Sequence, residues 1–125
     1  AAARAQSTCK RLERTRGSEA DPVWMAAEAQ KIADKHPQIK EVRMIKGKEL
    51  VEHNMNLFWG VGRGARIPPV CVMINYKGNP DSDEVDFAIV GKGITYDTGG
   101  LNIKMALMEM MYQDKGGACA VLGAL

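Results

Sequence analysis

Long apolar runs, histidine and cysteine are all scarce in this chain of 125 residues, and each scarcity excludes something. Apolar stretches such as Val70 to Ile74 and Ala118 to Leu125 fall well short of the ~20 residues that span a bilayer, so no transmembrane helix is expected. The first residues hold no apolar h-region of a signal peptide. Charge of one sign is not in excess: 17 Lys plus Arg against 15 Asp plus Glu leave +2. That is too near neutral to hold nucleic acid or an anionic membrane by charge alone. Two histidines, His36 and His53, stand in neither an HxxxH nor an HExxH arrangement, which argues against a histidine-rich zinc site. Cys9, Cys71 and Cys119 are odd in number, far apart and without a CxxC pair, and are expected as reduced thiols of an intracellular protein. What the chain does have, 46% hydrophobic and 26% charged residues, is the balance of one soluble globular domain.

Local patterns alternate between helix and strand. Arg4, Lys10, Arg11, Arg14 and Arg16 against the single acid Glu13 read as a solvated basic helix face. Asp21-Pro22 reads as an N-cap followed by proline at the first helical position. Met25, Ala29, Ile32 and Ala33 then recur at helical spacing, predicting a helix over about 22–35 that stops before His36-Pro37. Glu41 to Ile45 predicts a short strand and Lys48 to Asn54 a short helix. Gly60, Gly62 and Ala65 superficially match a dinucleotide fingerprint, but Pro68 and Pro69 oppose the helix that such a motif must open. Val70 to Tyr76 and Val85 to Val90 predict two strands, joined through the Gly-, Pro- and acid-rich stretch 77–84 as an antiparallel hairpin. Met105, Met108, Met110 and Met111 predict the core face of a helix. The chain opens on Ala1-Ala2-Ala3 and closes on an apolar segment with no cap, so it is expected to be a piece of a longer protein.

Chemistry is expected in the glycine-rich stretch that follows Val90, where an α/β sheet places its ligands beyond a strand end. Lys92, Asp97, Lys104 and Asp114 stand there among glycines at 91, 93, 99, 100, 116 and 117. A phosphate-loop reading fails, because Asp86 and Gly93 occupy positions that would need a glycine and a hydroxyl. Glycines beside carboxylates let the backbone approach a bound ion or substrate closely. A hydrolytic metal site here would use carboxylates aided by lysine, which ligates only as the neutral amine. The same residues can equally pair as lysine–carboxylate ion pairs with no ligand at all.

The run Val90-Gly91-Lys92-Gly93-Ile94-Thr95-Tyr96-Asp97-Thr98-Gly99-Gly100-Leu101-Asn102-Ile103-Lys104, followed by Asp114-Lys115-Gly116-Gly117-Ala118, closely resembles the leucyl aminopeptidase family of dinuclear metallopeptidases. Thr15 to Ser18, Asp21-Pro22, Glu49 to Glu52, Met55 to Gly62, Pro68-Pro69 and Tyr76 to Pro80 resemble the stretch ahead of that motif. The resemblance implies an α/β fold, a mixed sheet flanked by helices, with 1–36 as a basic segment and connecting helix and 37–125 as the first part of a catalytic domain. It implies Lys92, Asp97 and Asp114 as ligands of two divalent ions, zinc or manganese, with Asp97 bridging, and Lys104 as the catalytic residue that polarises the substrate carbonyl. It further implies peptides with a free N-terminus as substrates, a bicarbonate-type base, a homo-hexamer and a cytoplasmic setting, with neither nucleic acid nor membrane as partner. Two departures stand out. The family's Asn-Thr-Asp-x-Glu-Gly-Arg motif, which brings the other ligands, does not occur in these residues, so the chain by itself is expected to be inactive. The segment from Lys104 to Asp114 is also one residue shorter than usual, which leaves a fold-retaining scaffold without turnover as the alternative.

Overall fold

A computed structural model describes residues 1–125, which divide into two compact units, Pro22–Glu84 and Ala1–Asp21 with Val85–Leu125. The class is α/β, with five α-helices, two strands and one 3₁₀ helix.

In the unit Pro22–Glu84, helix α2 (Pro22–Ala33) starts at the proline whose fixed φ suits a first helical position. Its Met25, Ala29 and Ala33 are buried at helical spacing, together with Ala26. Glu28 is buried on the same helix and accepts an ion pair from Lys31 at 2.8 Å, so its charge is compensated rather than stranded. Strand β1 (Ile39–Lys46) pairs antiparallel with β2 (Val70–Tyr76), with Val42 opposite Ile74 and Ile45 opposite Cys71. The pairing is irregular between Ile39 and Glu41. Ile45 is almost wholly buried, and α2 packs on both strands. Two short helices, α3 (Glu49–Glu52) and α4 (Asn56–Gly62), fill the connection. Gly60 and Gly62 lie at the end of α4 rather than between a strand and a helix, which is not the dinucleotide arrangement. His36 follows α2 and donates its N–H to Ala33 O at 2.9 Å. His53 ends α3 and accepts from Arg43 at 3.0 Å.

In the unit formed by Ala1–Asp21 and Val85–Leu125, helix α1 (Ala2–Arg14) packs against α5 (Gly116–Ala124). The α1 face is built on Ala5, Cys9 and Leu12, spaced i, i+4 and i+7, and Leu12 is fully buried with Cys119 and Leu122 of α5. The helices approach closely at Gly123, where a Cβ would lie 2.8 Å from Ala5 O and 3.3 Å from the Cys9 side chain. Arg4, Lys10, Arg11, Arg14 and Arg16 are exposed, as a solvated basic face requires. All three cysteines are free, and burial pushes the Cys119 thiol up to about 11. No helix is long and apolar enough to cross a membrane.

Two expectations are corrected. Val85 to Val90 is not a strand and forms no hairpin with β2: Val85, Phe87, Ile89 and Val90 are 64–93% exposed. β2 is instead paired with β1 throughout, and beyond it Lys77 still donates to Gln38 O at 2.9 Å. Within the connector, polar groups bond locally, with Asp81 N–H donating to Asn79, Glu84 N–H to Ser82 and Lys77 to Asp83. The methionines do not form the core face of an α-helix either. Met108–Gln113 is a 3₁₀ helix with no buried residue, and Met105 is fully exposed. Three residues per turn bring Met108 and Met111 to one half-buried side and leave Met110, 40% exposed, on another.

Candidate functional site

The loop from Gly91 to Lys104 and the turn at Asp114 belong to the same unit, and the glycines explain how they meet. A Cβ on Gly91 would lie 2.6 Å from Gly117 O and 2.7 Å from Ala118 N. One on Gly117 would lie 2.8 Å from Lys92 N. Real side chains do not reach such distances, so only paired glycines let this backbone rest on the first turn of α5. A hydrogen bond from Ala118 N–H to Lys92 O at 2.8 Å closes the contact. Its consequence is an ion pair between Lys92 Nζ and Asp114 Oδ1 at 2.9 Å. A second closure lies further along, where Lys104 N–H donates to Thr98 O at 2.9 Å across Gly99, held at φ +95°. There Lys104 Nζ donates to Asp97 Oδ1.

All four residues expected to carry chemistry are therefore engaged, in two pairs. The structure brings Lys92 to Asp114 and Lys104 to Asp97, and nowhere gathers three or more His, Cys, Asp or Glu side chains that could hold a metal ion. The donor set fits a divalent cation in kind: two carboxylates, about a third exposed, each already holding a cationic group beside an oxygen. In number these residues fall short of a full coordination shell. Lys92 keeps 64% of its side chain in solvent, and pairs so exposed contribute about 0–1 kcal/mol, so Asp114 can exchange its lysine for a stronger cation at little cost. Lys104 and Asp97 are both more enclosed, at 29% and 33%.

Two further side chains shape the Asp114 turn. Lys115 is fully buried, and burial pushes its ammonium below the usual lysine range. Arg16 stacks its guanidinium 4.3 Å from the centre of the Tyr112 ring, a cation–π contact. Neither role is visible in a motif. A lysine set directly between a carboxylate and Gly116-Gly117, ahead of the apolar run Ala118 to Leu125, is the one local sign that its side chain has no route to water.

An α/β protein whose glycine loops present paired lysines and carboxylates is the class that fold and site define. The chain belongs to the cytosol aminopeptidase family: the model of that family's catalytic domain matches residues 7–125. It is 38% identical over 124 residues to the "Probable cytosol aminopeptidase" of Aquifex aeolicus, covering 98% of this chain and 24% of that protein. It is 41% identical over 108 residues to the protein of the same description from Protochlamydia amoebophila, covering 86% of this chain and 21% of the relative. Among solved structures, the leucine aminopeptidase of Caenorhabditis elegans superposes with a TM-score of 0.85 at 32% identity, covering 96% of this chain and 24% of that one. The apo leucyl aminopeptidase of Trypanosoma cruzi gives 0.82 at 34% identity, over 95% of this chain and 23% of its own. The chain thus spans about a quarter of the length of the relatives it matches.

Proposed function

We propose that this chain carries part of the active site of a metal-dependent aminopeptidase that releases N-terminal amino acids, leucine among them, from peptides with a free N-terminus. The observation that carries the reading is the glycine-cradled placement of Lys92 on Asp114 and of Lys104 on Asp97, in a chain of the cytosol aminopeptidase family. Asp97, Asp114 and Lys92 would hold two divalent cations, Zn²⁺ or Mn²⁺. Bound there, such a pair lowers the pKa of a water and polarises the scissile carbonyl. Lys104, whose Nζ donates to Asp97, would stabilise oxyanion charge as it develops on the substrate carbonyl. Lys92 would serve as a ligand only as the neutral amine, its proton passing to solvent as the dication binds. A bicarbonate-type base, a homo-hexamer and a cytoplasmic setting belong to the same proposal.

One observation favours a second reading, a scaffold subunit without turnover: both carboxylates are already neutralised by lysines of the chain itself. Hydrolysis of a leucine amide by the full-length protein, with Mn²⁺ or Zn²⁺ added and with a chelator as control, separates the two. Turnover that the chelator removes is the expected result. A folded, metal-loaded protein without turnover would overturn the peptidase reading in favour of the scaffold.

A further inference from the structure

Lys115 is the largest fully buried side chain in the molecule, and no step of the proposed chemistry uses it. Its Nζ donates to Glu13 O at 3.0 Å, to Thr15 O at 2.8 Å and to Tyr112 O. An ammonium has three protons to donate, and here each finds a backbone carbonyl. Glu13 O lies in the last turn of α1 and Thr15 O just beyond it, where helical carbonyls have no partner of their own and the dipole favours a cation. Tyr112 O belongs to the 3₁₀ helix that leads into Asp114. One side chain therefore ties the end of α1 to the turn ahead of α5, across 100–102 residues of sequence.

Asp114 sits inside that tie. Its N–H donates to Met111 O at 3.0 Å, and Lys115 O accepts from Cys119 N–H at 2.9 Å, so the backbone on both sides is fixed by short local bonds. Those bonds set the shape of the turn but not its attachment to the rest of the unit. Lys115 supplies an attachment one residue from the carboxylate, while the Asp114 side chain itself is held only by the largely exposed Lys92. We propose that Lys115 is a positioning residue for metal binding: by anchoring the turn to the carbonyls of α1 it holds the Asp114 carboxylate at the cation site. This rests on the reading of Asp114 as a metal ligand. Groups that orient a ligand without touching the metal are worth about 10–100-fold in affinity or activity.

The test is Mn²⁺ affinity of the full-length protein, read by titration with the metal alone and accompanied by thermal unfolding. K115M keeps the bulk and loses the donors, and K115Q, a shorter neutral donor, replaces it should K115M not fold. The expected result is a loss of Mn²⁺ affinity of about tenfold or more in a variant whose circular dichroism is that of the folded protein. Added to D114N, the same substitution should cost no further affinity, because the ligand it positions is already gone. A lower melting temperature with Mn²⁺ affinity unchanged would make Lys115 a helix cap only and overturn the inference. An equal affinity loss with and without D114N would overturn it as well. Wild-type affinity in D114N alone would instead overturn the assignment of Asp114, which keeps the two failures distinguishable.

Discussion

Val70–Tyr76 and Val85–Val90 are built from the same kind of residue, yet one is a strand and the other an exposed segment without regular secondary structure. The first pairs with β1 along its length and lies under α2. The second pairs with nothing in the chain and leads directly into the glycine loop that carries Lys92, Asp97 and Lys104. β-propensity describes fitness for a pleated, half-buried surface, and without a partner strand it orders no backbone. The molecule thus separates a region whose residues hold one another from a region whose residues are placed by a few specific bonds and close backbone approaches. Substitutions should cost stability in the first and function in the second.

The largest effects are expected in the loop. Asp97→Ala in the full-length protein should abolish leucine amide hydrolysis and weaken the binding of both ions, as measured by turnover and metal content. Unchanged turnover would remove the two-metal assignment. Lys104→Ala should leave metal content as it is and lower kcat by about 10²–10³-fold, the usual cost of losing a donor to a developing oxyanion. The comparison of kcat with KM is decisive, since a contact made only in the transition state lowers kcat with KM little changed. Neither variant should shift the unfolding midpoint much, because both side chains are partly exposed and the loop around them buries little.

The paired region should answer in the opposite sense. Ile45 is 1% exposed between β2 and the surrounding core, and Ile45→Ala should cost about 2–5 kcal/mol in denaturant unfolding while leaving metal affinity of the folded protein intact. A similar loss of metal affinity in that variant would break the distinction between the two regions.

What could be read from sequence follows the same division. Helix α2 and strands β1 and β2 show in spacing and composition because burial on one face leaves a periodic trace in nearby residues. The hairpin expected between β2 and Val85–Val90 failed because pairing is decided by a strand elsewhere, here Ile39–Lys46, and local pattern carries no record of it. The four candidate residues are legible through the Val90–Lys104 and Asp114–Ala118 runs, and the structure joins them in two pairs that spacing alone does not specify. Lys115 was legible only as a neighbour of Asp114. Its partners are main-chain carbonyls about a hundred residues away, and a carbonyl has the same identity in every residue.

The smallest effect expected is also the most local. Leu107 adopts the left-handed region at φ +57° and ψ 20°, immediately before the 3₁₀ helix. For a residue with a branched side chain this conformation costs roughly 1–2 kcal/mol, and Leu107, 65% exposed, recovers little of it by packing. It lies in the segment between Lys104 and Asp114 that turns the chain onto α5. Leu107→Gly should remove the strain but adds freedom to the unfolded chain worth about 0.4–1 kcal/mol, leaving a net gain of about 0–1.5 kcal/mol. Leu107→Asn should gain as much, because asparagine tolerates the same region without glycine's extra unfolded freedom. Denaturant midpoints of both variants check this. A loss of stability in both would mean that Leu107 is held by packing, and that the segment carrying the chain to Asp114 is ordered in the same way as the paired strands.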